Sequence, residues 1–351
     1  MRNVQSIIMA GGTGSRLWPI SRSFLPKQFV KLFDGKSLLQ ITLEHNREFS
    51  DIAVMVRKEQ SMIAKKQIDE LGMKVDIIIE PTEKNTAPCA IIASLYAKEK
   101  KADAVSLLPV DHFIKGQKKY MDSMRRAVEI SDDENIVTFG VKPTRAHSGY
   151  GYLKTGLELS NKLYAIEKFI EKPNTSKAAE YIKSDNYYWN SGIFVFEPDT
   201  MINIAAAKEP EMCNASINSF KKLTREDNML ILEEDSYNSI KGNSIDYAFM
   251  EKHNHISMII ADFAWRDVGG WNTMWEIYNK DNNGNVIHGN VELCDTSNSY
   301  IHSEGKLTAV IGLKDLVVVN THDASLVMHK SRSESVKKLV KYLIKKNRKE
   351  I

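Results

Sequence analysis

A short buried strand that ends in glycines constrains this chain more than any other feature. Residues 6–10, SIIMA, are almost wholly apolar, and Gly11, Gly12 and Gly14 follow at once. Similar apolar runs recur at 52–56, 75–79 and 105–108, and runs of that length bounded by turn signals read as buried strands. Between them lie amphipathic patterns at 38–48, 60–71, 86–98 and 120–130 that predict helices. This β-α alternation points to an α/β fold with a parallel sheet covered on both faces. In such sheets ligands bind beyond the carboxyl ends of the strands. Chemistry is therefore to be sought after Ala10, Ile79 and Leu108.

From about residue 150 the pattern becomes mixed, with strand-like runs at 151–155, 163–170 and 193–196 and a helix at 245–252. After the turn cluster DNNGN at 281–285 come short strands at 291–294, 299–302, 308–312, 316–320 and 325–329. They suggest a small β domain, a few turns of β-helix, although no repeat is regular enough to fix that architecture. The last stretch places Val336, Leu339, Val340, Leu343 and Ile344 at helical spacing with lysines opposite, an amphipathic helix that docks on the body. The expected division is 1–280 for the α/β part and 281–351 for the β-rich part with its terminal helix.

Charge excludes some functions. The chain has 48 Lys and Arg against 45 Asp and Glu, a net +3, too weak a balance to imply a nucleic-acid partner. The basic excess sits in the tail from Lys330 onward. Three scattered cysteines, Cys89, Cys213 and Cys294, build neither a disulfide framework nor a zinc site. No apolar run is long enough to span a bilayer, so the expectation is a cytoplasmic protein with no membrane contact.

The segment AGGTGSRLWP, residues 10–19, is suited to phosphate: its glycines let backbone N–H groups converge on oxygens, and Arg16 adds a cationic fork. It fits neither a dinucleotide G-x-G-x-x-G, which would need glycine where Leu17 stands, nor a P-loop, which would need G-K-[ST]. Downstream, Lys27 in SFLPKQF offers a second cation.

With GGTGSRLWPISR and LPKQF the string resembles the sugar-phosphate nucleotidylyltransferases, in particular the mannose-1-phosphate guanylyltransferases. EPTEKNTAPC, LLPVDHFI, GVKPTRAHSGYGYL, FIEKP, WNSGIFVF, SIDYAFMEK and WRDVGGW follow in the family's order across the first 275 residues. The resemblance implies a Rossmann-like, GT-A-like mixed sheet, with a C-terminal β segment like that of short monofunctional members. It implies that GMP passes from GTP to mannose 1-phosphate, giving GDP-mannose and pyrophosphate, with Mg²⁺ as cofactor.

By the same resemblance Arg16 and Lys27 are catalytic. Ala10, Gly11, Gly12, Thr13, Gly14 and Ser15 cradle the nucleotide, and Glu80, Asn85 and Thr86 lie in its base segment. Asn85 and Thr86 equally suit a helix cap. Gly151, Glu171, Lys172 and Asn190 face the sugar, and Asp111 and Asp267 hold the metal. Trp189, Trp265, Trp271 and Trp275 read as core aromatics. Val110 and the pair His147 and Ser148 depart from the usual family residues and bear on sugar selectivity. Another nucleotide or sugar phosphate, a catalytically silent regulatory subunit, or, on the tail helix alone, a basic nucleic-acid- or membrane-binding protein are the competing readings. A homodimer without isomerase activity is expected.

Overall fold

In the computed structural model, which describes residues 2–351, the first buried run forms the strand Val4–Met9 inside an 11-stranded sheet. Its parallel neighbours are Asp51–Arg57 and Ala104–Pro109, and Asp76–Glu80 lies beyond the former. Only Met9 of the first strand escapes full burial, as parallel strands covered on both faces require.

The order across the sheet is Thr224–Glu226, Met229–Ile231, Asp76–Glu80, Asp51–Arg57, Val4–Met9, Ala104–Pro109, Tyr187–Phe196, Ile136–Val141, Ile256–Ile260, Leu163–Ile170, Tyr152–Ser160. The second and third strands of the chain thus lie on one side of the first, and the fourth on the other. That reversal is a topological switch point, where ligands of open α/β sheets bind. The glycines follow one of the two strands flanking it, and Asp111 follows the other.

The sheet is parallel from Met229–Ile231 to Ala104–Pro109. Beyond that it is mixed, because Tyr187–Phe196 runs antiparallel to both of its neighbours. The helix Thr86–Glu99 is apolar on nearly every side, with Ala87, Ala90, Ile91, Ala97 and Tyr96 all buried. The sheet covers one side of it, and Pro198–Lys208 and Pro210–Lys221 pack against it as well. Each of those two helices opens on a proline, which the first helical position tolerates because its N–H has no partner in the helix anyway. The expected helix at 245–252 divides into Ile245–Ala248 and a 3₁₀ turn, Met250–Lys252.

The chain divides into two compact units that interleave along the sequence. One comprises residues 2–11, 42–110 and 114–265, and the other 12–41, 111–113 and 266–351. The second unit has its own core, in which Trp271 and Tyr300 pack with Leu17, Trp18, Phe33 and Val317. It contains the strands Val286–Cys294, Tyr300–Ile311, Leu316–Asn320 and Ser325–His329. The first three are parallel, with His288, His302 and Val319 side by side in register.

Residues 295–299 and 312–315 are all that separate these parallel strands, far too few for a conventional crossover. The chain must therefore coil, as in a β-helix. The runs expected at 299–302 and 308–312 are the two paired ends of one strand, which bulges between them where the register shifts. The terminal helix Val336–Lys345 buries Val336 and Val340, half-buries Leu339 and Leu343, and leaves Ile344 exposed. Trp189, Trp265 and Trp271 are buried, and Trp275 is partly so, beneath the Lys330 ammonium 3.3 Å from its ring centre. No helix among the described residues is long and apolar enough to cross a membrane.

Candidate active site

Three separated segments of the sequence meet at Lys27. Its ammonium lies 2.6 Å from Asp111 Oδ2 and 4.0 Å from Asp267 Oδ1, and it donates to the Val268 carbonyl at 2.8 Å. The Val268 N–H in turn donates to the Asp111 carbonyl at 2.9 Å, which ties the two acidic segments together. Gly14 makes the approach of Lys27 feasible. Its φ is +58°, and a Cβ there would stand 2.6 Å from the Lys27 backbone nitrogen. Gly14 also precedes the 3₁₀ turn Ser15–Leu17 that carries Arg16.

The electrostatics follow from that packing. Burial alone would lower the Lys27 ammonium, but Asp111 and Asp267 outweigh it and raise it above the ordinary lysine range. Burial works against the charged form of Asp111 too, yet Lys27 and the neighbouring His112 hold that carboxyl low. Asp267 goes the other way, pushed up by burial and by the negative charge of Asp111. Its buried Oδ1 accepts no hydrogen bond from the described residues. Two partly accessible carboxylates that repel one another, one with an unsatisfied oxygen, form a donor set that fits a hard divalent cation.

At the switch point of the sheet Ala10 is buried and donates to the Met55 carbonyl at 2.8 Å, while the Gly11 carbonyl accepts from Arg57 Nε at 3.0 Å. Gln28 donates to the Gly12 carbonyl at 2.7 Å, Gly12 and Thr13 are exposed, and Ser15 is half-buried. Glu80 lies beside Gly11. Its Oε1 accepts from the Tyr237 hydroxyl and, at 3.2 Å, from the Cys89 thiol, so that Oε2 is the oxygen next to Gly11. Burial pushes this carboxyl up to about 7, against the opposing effect of the two donors.

Asn85 and Thr86 are hydrogen-bonded at the start of the helix Thr86–Glu99. Asn85 Oδ1 accepts from the Thr86 N–H at 2.9 Å, and Thr86 Oγ1 from the Ile245 N–H at 2.9 Å. The cap is real, and it occupies the oxygens of both side chains.

The four residues expected at the sugar also come together. Gly151 leaves room for Glu171, because a Cβ there would lie 2.7 Å from Glu171 Oε2 and 3.3 Å from the Asn190 side chain. Lys172 closes an ion pair onto Glu171 Oε1. Asn190 Oδ1 accepts from Thr138 and from the Gly192 N–H, and its Nδ2 donates to Asp246 Oδ1 at 3.3 Å. Asp246 is pushed up to about 7 by burial and by repulsion from Glu171, which Lys172 only partly offsets. His147 stacks on Tyr150 at 3.9 Å, and Tyr150 meets Trp189 edge-on. Val110 is buried.

Sequence reasoning missed Arg57, Gln28 and Asp246. Gln28 and Asp246 stand inside the motifs LPKQF and SIDYAFMEK, so position was the available signal. Arg57 ends a strand at the carboxyl edge of the sheet, and no motif marks it.

Comparison with known proteins places this arrangement. Residues 5–284 match the nucleotidyl transferase family and residues 289–343 the mannose-phosphate isomerase/GMP-like β-helix domain. The chain belongs to the nucleotidyl transferase family, whose members generally use a divalent metal ion. It is 38% identical to a mannose-1-phosphate guanylyltransferase of Klebsiella pneumoniae, over 98% of this chain and 74% of that one. It is equally similar to a putative mannose-1-phosphate guanylyltransferase of Vibrio cholerae, over 98% and 75%. Among solved structures, one described as a mannose-1-phosphate geranyltransferase from Thermus thermophilus matches with a TM-score of 0.88 and 30% identity, over 97% of this chain and 99% of that one.

Proposed function

We propose that the protein transfers GMP from GTP to mannose 1-phosphate, releasing pyrophosphate and GDP-mannose. The observation that carries this reading is the group Lys27, Asp111 and Asp267 with Gly14 and Arg16 beside it, in a chain so similar to guanylyltransferases. A phosphate oxygen of the sugar phosphate attacks the α-phosphorus of the triphosphate, in line with the departing pyrophosphate. The nucleophile is already anionic near neutral pH, so the reaction needs no general base. What it needs is two polyanions held together and cover for the charge that moves onto the leaving group.

Arg16 and Lys27 supply that cover, and the amides of the loop from Gly11 to Ser15 cradle the triphosphate. Asp111 and Asp267 would hold a divalent ion, for which we propose Mg²⁺. When bound, it neutralises phosphate charge and orients the triphosphate. Glu80, Asn85 and Thr86 form the base side. A carboxylate there suits guanine, which presents N1–H and N2–H₂ donors. On the sugar side Glu171, Asn190 and Asp246 meet hydroxyls, and Lys172 faces the sugar phosphate. An Asp246 carboxyl poised near pH 7 keeps its proton below that pH and then donates to a sugar hydroxyl, a bond lost when it ionises.

The test is pyrophosphate release by the purified protein with Mg²⁺, crossing GTP, ATP, UTP and dTTP with mannose, glucose and galactose 1-phosphates. Release with GTP and mannose 1-phosphate alone supports the reading. Preference for another pair reassigns the base and sugar segments, and silence in every combination overturns it.

A further inference from the structure

The fold brings one carboxylate from the C-terminal β segment to the catalytic arginine. Glu334 Oε2 lies 3.2 Å from Arg16 Nε, and both residues belong to the same compact unit. The pair is open to solvent, the side chains being 38% and 68% exposed, so it adds little to stability. Its geometry is the informative part. Glu334 approaches the Nε side of the guanidinium as an ion contact without a hydrogen bond at Nε, and the terminal nitrogens of Arg16 donate to no described residue. The outer fork is the part that grips a phosphate bidentately.

The backbone that carries Glu334 is firmly held. It lies in the 3₁₀ turn Lys330–Ser335, whose Lys330 is buried, donates to the Asn298 carbonyl at 2.7 Å, and sits over the Trp275 ring. Ser333, also buried, accepts from the Asn272 N–H at 3.3 Å through its hydroxyl. Asn272 stands in the first turn of the helix Trp271–Ile277, shortly after Asp267. The contact is close, since a Cβ at Gly270 would stand 2.8 Å from Ser333 Oγ. One step of the chain, Ser333 to Glu334, therefore touches the segment after Asp267 and the Arg16 guanidinium together.

We propose that Glu334 is a positioning residue for Arg16: its charge draws the Nε side of the guanidinium toward itself, so that the outer fork is presented to the triphosphate. The β-helix segment then contributes to catalysis directly and not only to stability. The proposal rests on the role given to Arg16 above.

A double-mutant cycle tests it, on the full chain, with Glu334→Gln, Arg16→Ala and the two combined. Turnover with GTP and mannose 1-phosphate, and GTP affinity by calorimetry without sugar phosphate, are measured on each. Glu334→Gln should lower kcat/KM for GTP about tenfold, the low end for losing a group that orients a functional side chain. It should weaken GTP binding in the same direction and leave the thermal unfolding midpoint unchanged. In the Arg16→Ala background it should have no further effect, and Glu334→Asp should recover part of the loss.

Wild-type rates in Glu334→Gln would overturn the proposal, as would an undiminished loss when Arg16 is already absent. Tighter GTP binding by Glu334→Gln would also overturn it, since Glu334 would then be competing with phosphate for Arg16. An inactive wild-type protein would instead overturn the guanylyltransferase reading. The coupling between Arg16 and Glu334 would still be read from GTP binding.

Discussion

The group around Lys27 and the group around Lys172 are each built from one lysine and two nearby carboxylates, yet the lysines sit differently among them. Lys27 is 11% exposed and reaches both of its partners, so the cation is raised and Asp111 stays ionised. Lys172 is 54% exposed and commits itself to Glu171, which leaves Asp246 pushed up to about 7. Even so, burial and the negative charge of Asp111 push Asp267 up to about 6 in the first group. The second holds a carboxyl that changes state near neutrality, as hydroxyl recognition allows. In both groups the carboxyl pushed up, by burial first, is the one the lysine does not hydrogen-bond.

That contrast can be broken in order of expected effect. Asp111→Asn combined with Asp267→Asn should abolish the response to divalent cations together with turnover. A Mg²⁺ titration checks this, and an undiminished response would place the metal ligands elsewhere. Lys27→Ala should cost about 10² to 10³ in kcat, the range for removing one transition-state donor, with circular dichroism unchanged. Asp246→Asn should act at the sugar instead. In the wild type KM for the sugar phosphate should rise about three- to tenfold, one hydrogen bond's worth, as the pH passes upward through 7. The variant should show a flat profile, and a profile like the wild type's would mean that Asp246 does not report on the sugar.

The smallest effect concerns Glu80, a buried carboxyl whose charge Arg57 offsets only in part. Its folded pKa of about 7 lies above the ordinary value of 4.5. The unfolded chain therefore loses its proton first, and stability present below about pH 4.5 drains away as the pH rises to 7. Glu80→Gln should remove that drain and stabilise the protein at pH 8 by about 1–3 kcal/mol. Denaturant unfolding at pH 5 and pH 8 gives the answer, and a variant less stable at both would contradict it.

Much of this was legible in the sequence, for reasons that differ by region. The run SIIMA followed by glycines named its own place, since a strand buried on both faces cannot hide its apolar composition. Arg16, Lys27, Asp111 and Asp267 were found because they stand in ordered motifs. Their meeting was not legible, because nothing in the spacing of residues 27, 111 and 267 says that Val268 bridges them. The C-terminal segment was read only coarsely. Its coil does not repeat at a fixed interval, and the bulge in Tyr300–Ile311 made one strand look like two. Glu334 was invisible for a third reason: an acidic residue in a basic tail reads as solvated charge until the fold brings it to Arg16.

The stoichiometry of product formation tests nucleotide transfer at the Lys27 group most directly. GTP, mannose 1-phosphate and Mg²⁺ are supplied to wild-type protein and, in parallel, to Lys27→Ala. The account predicts one GDP-mannose for each pyrophosphate in the wild type, no pyrophosphate without the sugar phosphate, and a rate at least about a hundredfold lower in the variant. Pyrophosphate released without GDP-mannose, or equal rates in the two proteins, would contradict it.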